Sequence, residues 1–145
     1  MERTLVIIKP DGVRRHLVGS IIQRFEAKGL AIAEMKFETM TPELAKEHYQ
    51  HLTERSFFDE RIDYMPSGPV VYLVLVGEEV IDIVRKMVGA TKAADAVPGT
   101  IRGDYALPGT ENIIHASDSR DAAVKEIARF FPPFDINKPS EKAAK

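Results

Sequence analysis

Apolar and polar positions follow two different periods along this chain, and the switches between them outline its elements. Residues 5–8 (LVII) form a short, branched apolar run that reads as a strand. Lys9-Pro10-Asp11-Gly12 closes it with turn chemistry. A residue before proline is pushed to extended geometry, so Lys9 ends the strand rather than entering a helix. Val18, Ile21, Ile22 and Phe25 recur at helical spacing, with Gly29 placed to end that helix in the left-handed region. Ala33, Met35 and Phe37 alternate with Glu34, Lys36 and Glu38, the period of a strand with one wet face. Thr41 and Pro42 suit the N-cap and first position of a second helix. Residues 52–65 are mixed and charged and are read as a short helix.

Residues 70–76 (VVYLVLV) read as a strand buried on both faces. Val80, Ile81, Val84, Met87 and Val88 form another helical stripe, ended by Gly89. Residues 89–110 are rich in Gly, Pro, Ala and charge and show no period; so long a loop in a compact domain is usually functional. Residues 112–115 (NIIH) suggest a short strand, and Ser117-Asp118-Ser119 caps a last helix with the stripe Val124, Ile127, Ala128 and Phe131. Pro132-Pro133 stops that helix, and residues 137–145 form a loose polar tail with almost nothing to bury.

The order is β-α-β-(α)-β-α-β-α, in one domain over residues 1–145. Two architectures fit it: a parallel α/β sheet, or an α+β split βαβ sandwich of ferredoxin type, with a four-stranded antiparallel sheet and helices packed on one face. Short strands and the one-sided alternation of residues 33–37 favour the second.

Composition narrows the functions available. Lys and Arg total 20 against 22 Asp and Glu, a formal net charge of -2, which leaves no excess positive charge to track a nucleic-acid backbone. The chain contains no Cys, so disulfides, thiolate metal sites and a Cys nucleophile are all excluded. The first apolar run is too short for a signal peptide, and residues 70–76 are too few to span a bilayer. A soluble, cytoplasmic protein is expected. There is no Walker loop, no GxGxxG fingerprint, no HExxH and no dense cluster of metal-ligating residues.

Of four histidines (His16, His48, His51 and His115), His115 stands out because it sits between an apolar pair and a helix-capping run. That position suits either a strand-end nucleophile or a core-edge ring satisfied by backbone. Glu126 lies between Ala122 and Phe130 at i−4 and i+4, on the border of the apolar side. A carboxylate there calls for a partner. An imidazole N–H would serve and would leave the other ring nitrogen nucleophilic; pairing with Lys125 or Arg129 in solvent fits the spacing equally well. Arg102, flanked by glycines, suits close approach to a ligand or a surface pair with Asp104. Arg85, beside its helix stripe, and Lys9, at a strand end, suit either a cleft or simple snorkelling.

Six stretches carry a resemblance. They are residues 4–13 (TLVIIKPDGV), 46–49 (KEHY), 57–58 (FF), 67–71 (SGPVV), 98–104 (PGTIRGD) and 112–119 (NIIHASDS). In this order and at these separations the chain resembles the nucleoside diphosphate kinase family along nearly its whole length. The resemblance implies a ferredoxin-like core and transfer of the γ-phosphate of a nucleoside triphosphate, typically ATP, to a nucleoside diphosphate. It implies a ping-pong route in which Nδ1 of His115 takes the phosphoryl group, Glu126 holds the other nitrogen and Ser117 supports Glu126. It makes Lys9, Tyr49, Arg85, Thr91 and Arg102 phosphate ligands and Asn112 and Lys9 sugar contacts. It makes Phe57 the stacking surface for the base, and Asp118 a water-mediated partner of nucleotide-borne Mg²⁺. A homo-oligomer, hexamer or tetramer, is also implied.

The chain departs from the family pattern at several positions. Ala116 replaces a Gly, which requires negative φ there. Arg120, Arg61 and Ala93 replace an uncharged residue, an apolar residue and a proline, respectively. Two other functions compete with the kinase reading: a non-catalytic nucleotide-binding module, and a single-strand nucleic-acid platform. The second has only Phe37 and Tyr72 as strand aromatics.

Overall fold

The computed structural model describes residues 1–50, 62–109 and 111–132. Four strands, β1 (Glu2–Ile8), β2 (Ala31–Thr39), β3 (Pro69–Gly77) and β4 (Ile114–Ala116), form one sheet in the order β2-β3-β1-β4. Every pairing is antiparallel, which excludes the parallel alternative and gives the ferredoxin-like fold. Among the described residues the strands are accompanied by helices α1 (Pro10–Arg14), α2 (Val18–Lys28), α3 (Pro42–His48), α4 (Val80–Val88), α5 (Ile101–Tyr105) and α6 (Arg120–Phe130).

Residues 5–8 of β1 and 70–75 of β3 form unbroken buried runs because both faces of the sheet are covered there. Strand periodicity sends Val6 and Ile8 of β1, with Val71, Leu73 and Leu75 of β3, to one face, where Ile21 and Phe25 of α2 and the α4 stripe pack. Leu5, Ile7, Val70, Tyr72 and Val74 face the other side, against Ala45 of α3 and Phe130 of α6. Helices therefore lie on both faces rather than one. Tyr72 is fully buried and stacks on Phe130 at 4.9 Å, so it offers no platform for a nucleic-acid base.

Local signals explain most boundaries. Thr41 accepts a hydrogen bond from the Leu44 N–H, as an N-cap should, and Pro42 follows at the first helical position. Gly29 ends α2 at φ 99. Lys9 is extended and ends β1, but the segment after it is not a turn: Pro10 opens α1, since its fixed φ and missing N–H suit a first helical residue.

Four further expectations fail. The aperiodic stretch 89–110 holds a short 3₁₀ turn (Ala93–Asp95) and α5, too short to show a period. Strand β4 begins at Ile114 instead of residue 112 because Ile113 has φ 73, which breaks the extended run. In α6 the buried residues are Ala123 and Phe130, with Ile127 partly covered, while Val124 is 64% exposed. The stripe is displaced because a glutamate, Glu126, takes an inward position. On β2 the apolar side is the wet one: Met35 and Phe37 are 57% and 63% exposed. β2 lies at the edge of the sheet, with only β3 beside it among the described residues. In the region 52–65, residues 62–64 are helical and Met65 enters a short 3₁₀ turn; the remainder lies outside the described residues, as do Arg61 and the tail 137–145.

Candidate active site

His115 stands opposite Ile7 in the β1–β4 pairing. Cross-strand partners share a face, so its ring projects to the side covered by α3 and α6. The backbone leading to it is held by a clasp. Ile113 occupies the left-handed region, where a β-branched side chain is strained. Its N–H donates to Asp11 Oδ2 at 3.0 Å, and its carbonyl accepts from the Lys9 N–H at 2.8 Å. Asp11, only 3% exposed, also accepts from the Tyr64 hydroxyl. Burial and the Asp11 contact push the Tyr64 pKa up, so the hydroxyl stays a donor. Gly12 is needed beneath the clasp, since a Cβ there would meet Ile8 Cγ2 at 2.8 Å. Ala116, one residue past His115, is not among the residues with positive φ, so alanine fits where the family pattern has glycine.

His115 Nε2 lies 3.0 Å from Glu126 Oε1, and the Ser117 hydroxyl donates to the same oxygen at 2.7 Å. The buried Ser117 hydroxyl also accepts from the Leu5 N–H at 3.1 Å, tying the carboxylate to the central strand. Burial pushes the Glu126 pKa up. Hydrogen bonds from His115 and Ser117 and the charges of His115 and Arg129 outweigh that and hold it below the ordinary range. An ionised carboxylate only accepts, so His115 Nε2 carries the hydrogen, and in the neutral ring the lone pair is then on Nδ1. Glu126 thus partners His115; Lys125 pairs instead with Asp121 at 3.0 Å.

A cavity of about 770 Å³ opens beside the ring. Lys9, Tyr49, Arg85, Thr91 and Arg102 all line it, and so do Asn112, Asp118 and Glu126. Lys9 Nζ donates to Asn112 Oδ1 at 2.8 Å, and Asn112 Nδ2 donates to the Thr91 carbonyl at 3.2 Å. Ser117 lies behind Glu126, off the wall. Phe57 and His51 lie outside the described residues, and His16 is exposed, away from the cavity.

Arg102 differs from its sequence reading. It belongs to helix α5 and is 8% exposed, and Asp104 pairs with Arg24 instead, 2.5 Å away. Its guanidinium donates to the carbonyls of Asn112, Gly89 and Ile114 at 3.3, 3.1 and 2.5 Å. Those contacts take three of its five N–H donors. Burial, with a contribution from Arg85, lowers its pKa to about 10, so it remains a cation at neutral pH. Arg85 is exposed at the rim.

Sequence reasoning missed His48. It is 4% exposed, its ring meets that of His115 edge-on at 4.7 Å, and its Nδ1 lies 3.0 Å from Arg129 Nη1. The only signal was its place inside the KEHY stretch. His48, His115 and Glu126 bring potential metal-ligating atoms within 4.8 Å of one another. The Arg129 guanidinium beside them disfavours a cation, and the Glu126 oxygen already serves two donors.

Comparison with known proteins agrees with this geometry. A family model described as Nucleoside diphosphate kinase matches residues 2–136. The chain is 56% identical over 135 residues to a nucleoside diphosphate kinase of Acetivibrio thermocellus, covering 93% of this chain and 99% of that one. It is 50% identical over 137 residues to one of Halalkalibacterium halodurans, covering 94% and 93%. Among solved structures, a halophilic nucleoside diphosphate kinase from Halobacterium salinarum in complex with CDP superposes with a TM-score of 0.88 at 44% identity, over 99% of this chain and 96% of that one. The apo enzyme of Encephalitozoon cuniculi gives 0.89 at 42%, over 99% of each. The chain belongs to the nucleoside diphosphate kinase family of phosphotransferases.

Proposed function

We propose that this protein transfers the γ-phosphate of a nucleoside triphosphate to a nucleoside diphosphate by a ping-pong route through His115. The observation that carries the proposal is the 3.0 Å contact between His115 Nε2 and Glu126 Oε1, which leaves Nδ1 as the free nucleophile beside the cavity. In the first half-reaction the Nδ1 lone pair forms a bond to the γ-phosphorus. The bond from phosphorus to the bridging β–γ oxygen breaks, and its electron pair leaves with the diphosphate. The ring, still protonated at Nε2, becomes cationic, and Glu126 stands against that charge. A second diphosphate then takes the phosphoryl group by the reverse displacement.

Phosphoryl transfer asks mainly for in-line positioning and charge stabilisation. Arg85, Arg102, Lys9, Tyr49 and Thr91 supply these around the phosphates, while Lys9 and Asn112 meet the sugar hydroxyls. Arg102 suits the task because its backbone ties fix the fork before substrate arrives. Base stacking on Phe57 would read only a π-face and so tolerate many nucleotides. The exposed carboxylates Asp118 and Asp121 on the cavity wall are hard oxygen donors of the kind Mg²⁺ prefers, and Asp118 would hold it through water. When bound with the phosphates, Mg²⁺ supplies charge neutralisation. The CDP held by the Halobacterium relative supports a nucleotide in this cavity.

No helix among the described residues is long and apolar enough to cross a membrane, and a cytoplasmic location is part of this reading. So are a single domain and a homo-oligomer, hexamer or tetramer. The exposed Met35 and Phe37 on the edge strand β2, which has β3 on one side and no strand on the other among the described residues, support assembly, since such edges are normally covered.

The test is single-turnover labelling with ATP and Mg²⁺. Wild type acquires an acid-labile, base-stable phosphate. His115→Ala binds ADP but stays unlabelled. Transfer surviving in that variant would overturn the mechanism.

A further inference from the structure

We propose that His48 is a positioning residue for His115, acting through Arg129 and Glu126. The proposal rests on the reading of His115 as the phosphate acceptor. A guanidinium only donates, so the 3.0 Å contact makes His48 Nδ1 the acceptor from Arg129 Nη1. The His48 hydrogen is then on Nε2, and the ring is neutral.

Two consequences follow for His115. First, the His48 ring is walled in by Tyr49 at 4.7 Å and Phe130 at 5.3 Å, and it meets the His115 ring at 4.7 Å with an interplanar angle of 80°. A buried ring packed edge-on in this way restricts rotation of the nucleophile. Second, Arg129 sits three residues after Glu126 on α6, so the two side chains share a face. The charge of Arg129 helps to keep Glu126 ionised. Its ion pair with Glu47 is weak: Nε lies 3.5 Å from Glu47 Oε1, on a side chain that is 57% exposed, and that nitrogen makes no hydrogen bond. His48 Nδ1 is therefore the buried anchor that keeps the guanidinium beside Glu126 instead of swinging towards Glu47. His48 touches neither substrate nor reacting atoms in this scheme; it sets the field and the plane of the ring that does.

The test compares wild type with His48→Phe, which keeps an aromatic ring but removes the acceptor, with Arg129→Met, and with the double variant. Imidazole ¹⁵N chemical shifts of His115 in the substrate-free protein report its tautomer without requiring turnover. Single-turnover labelling reports the chemical step. In His48→Phe the His115 shifts move towards a mixed tautomer, and labelling at saturating ATP slows about tenfold, with ADP affinity within about twofold of wild type. Arg129→Met shows the same pattern, and the double variant is no worse than either single one, because both break one link. If His48→Phe does not fold, Arg129→Met alone carries the same expectation for the His115 spectrum.

A folded His48→Phe with an unchanged His115 spectrum and rate would overturn the proposal, as would strictly additive effects in the double variant. A loss confined to ADP affinity would overturn it too. Wild type that takes no phosphate would refute the His115 reading instead, while the ¹⁵N shifts still judge His48.

Discussion

Replacing Glu126 with Gln isolates charge from shape. The amide oxygen can still accept from His115 Nε2 and Ser117 Oγ, now 3.0 and 2.7 Å from the carboxylate, so the tautomer survives. What is lost is the negative charge that meets the imidazolium formed as phosphorus bonds to Nδ1. Unit charges 3.0 Å apart attract by about 5 kcal/mol at an effective dielectric near 20. The side chains keep 22% and 13% exposure, and a neutral hydrogen bond remains, so the loss in the transition state is nearer ~2–4 kcal/mol. That corresponds to a ~30- to ~1,000-fold slower labelling step in rapid quench with ATP, with ADP affinity nearly unchanged. A labelling rate within about threefold of wild type would refute the electrostatic role of Glu126.

The same variant reads out pH. The native Glu126 pKa is lowered, so its ionised form stabilises the fold above the unfolded value of 4.5, and that contribution is lost as pH falls through the lower native value. Gln has no such contribution to lose. The stability gap between wild type and variant is therefore flat above about pH 5.5 and shrinks on acidification; a widening gap would contradict the assignment.

Gly103→Ala would place a Cβ 1.9 Å from the Val97 carbonyl oxygen and 2.7 Å from the Thr100 hydroxyl that caps α5. Denaturant unfolding should show a loss of about 3 kcal/mol or more, and calorimetry should show ADP binding about tenfold weaker because the neighbouring Arg102 is displaced. Phe37→Glu puts a charge on the exposed apolar edge of β2. Sedimentation should show a smaller assembly, whereas an unchanged mass would place the subunit contact elsewhere.

Much of the fold was legible because local signals and tertiary demand agree there. Thr41-Pro42, Gly29 and Gly89 mark helix ends by chain geometry alone, and the unbroken apolar run of β3 announces burial on both faces. The failures share one cause, which is that burial is a property of neighbours. Met35 and Phe37 alternate as a core-facing pair does, yet they lie exposed on the edge strand of the sheet. Val124 fits a helical stripe but is exposed, because α6 is rotated to aim Glu126 inward. Ile113 reads as strand, but the Asp11 clasp holds it left-handed.

By itself the sequence determined the order of the four strands with helices α2, α3, α4 and α6, the absence of thiol chemistry and a set of residues whose spacing matched one family. The bonds within the site were decided only by the tertiary structure. Glu126 had three candidate partners by spacing, and the β1–β4 pairing brought it to His115. Arg102 had Asp104 as a near neighbour in the chain, and the fold gave it three backbone carbonyls instead. His48 had only its place in the KEHY stretch until Arg129, 81 residues away, donated to its ring. Periodicity describes which way side chains point along one element; which side chains meet depends on how separate elements cross, and that depends on the packing of the whole core.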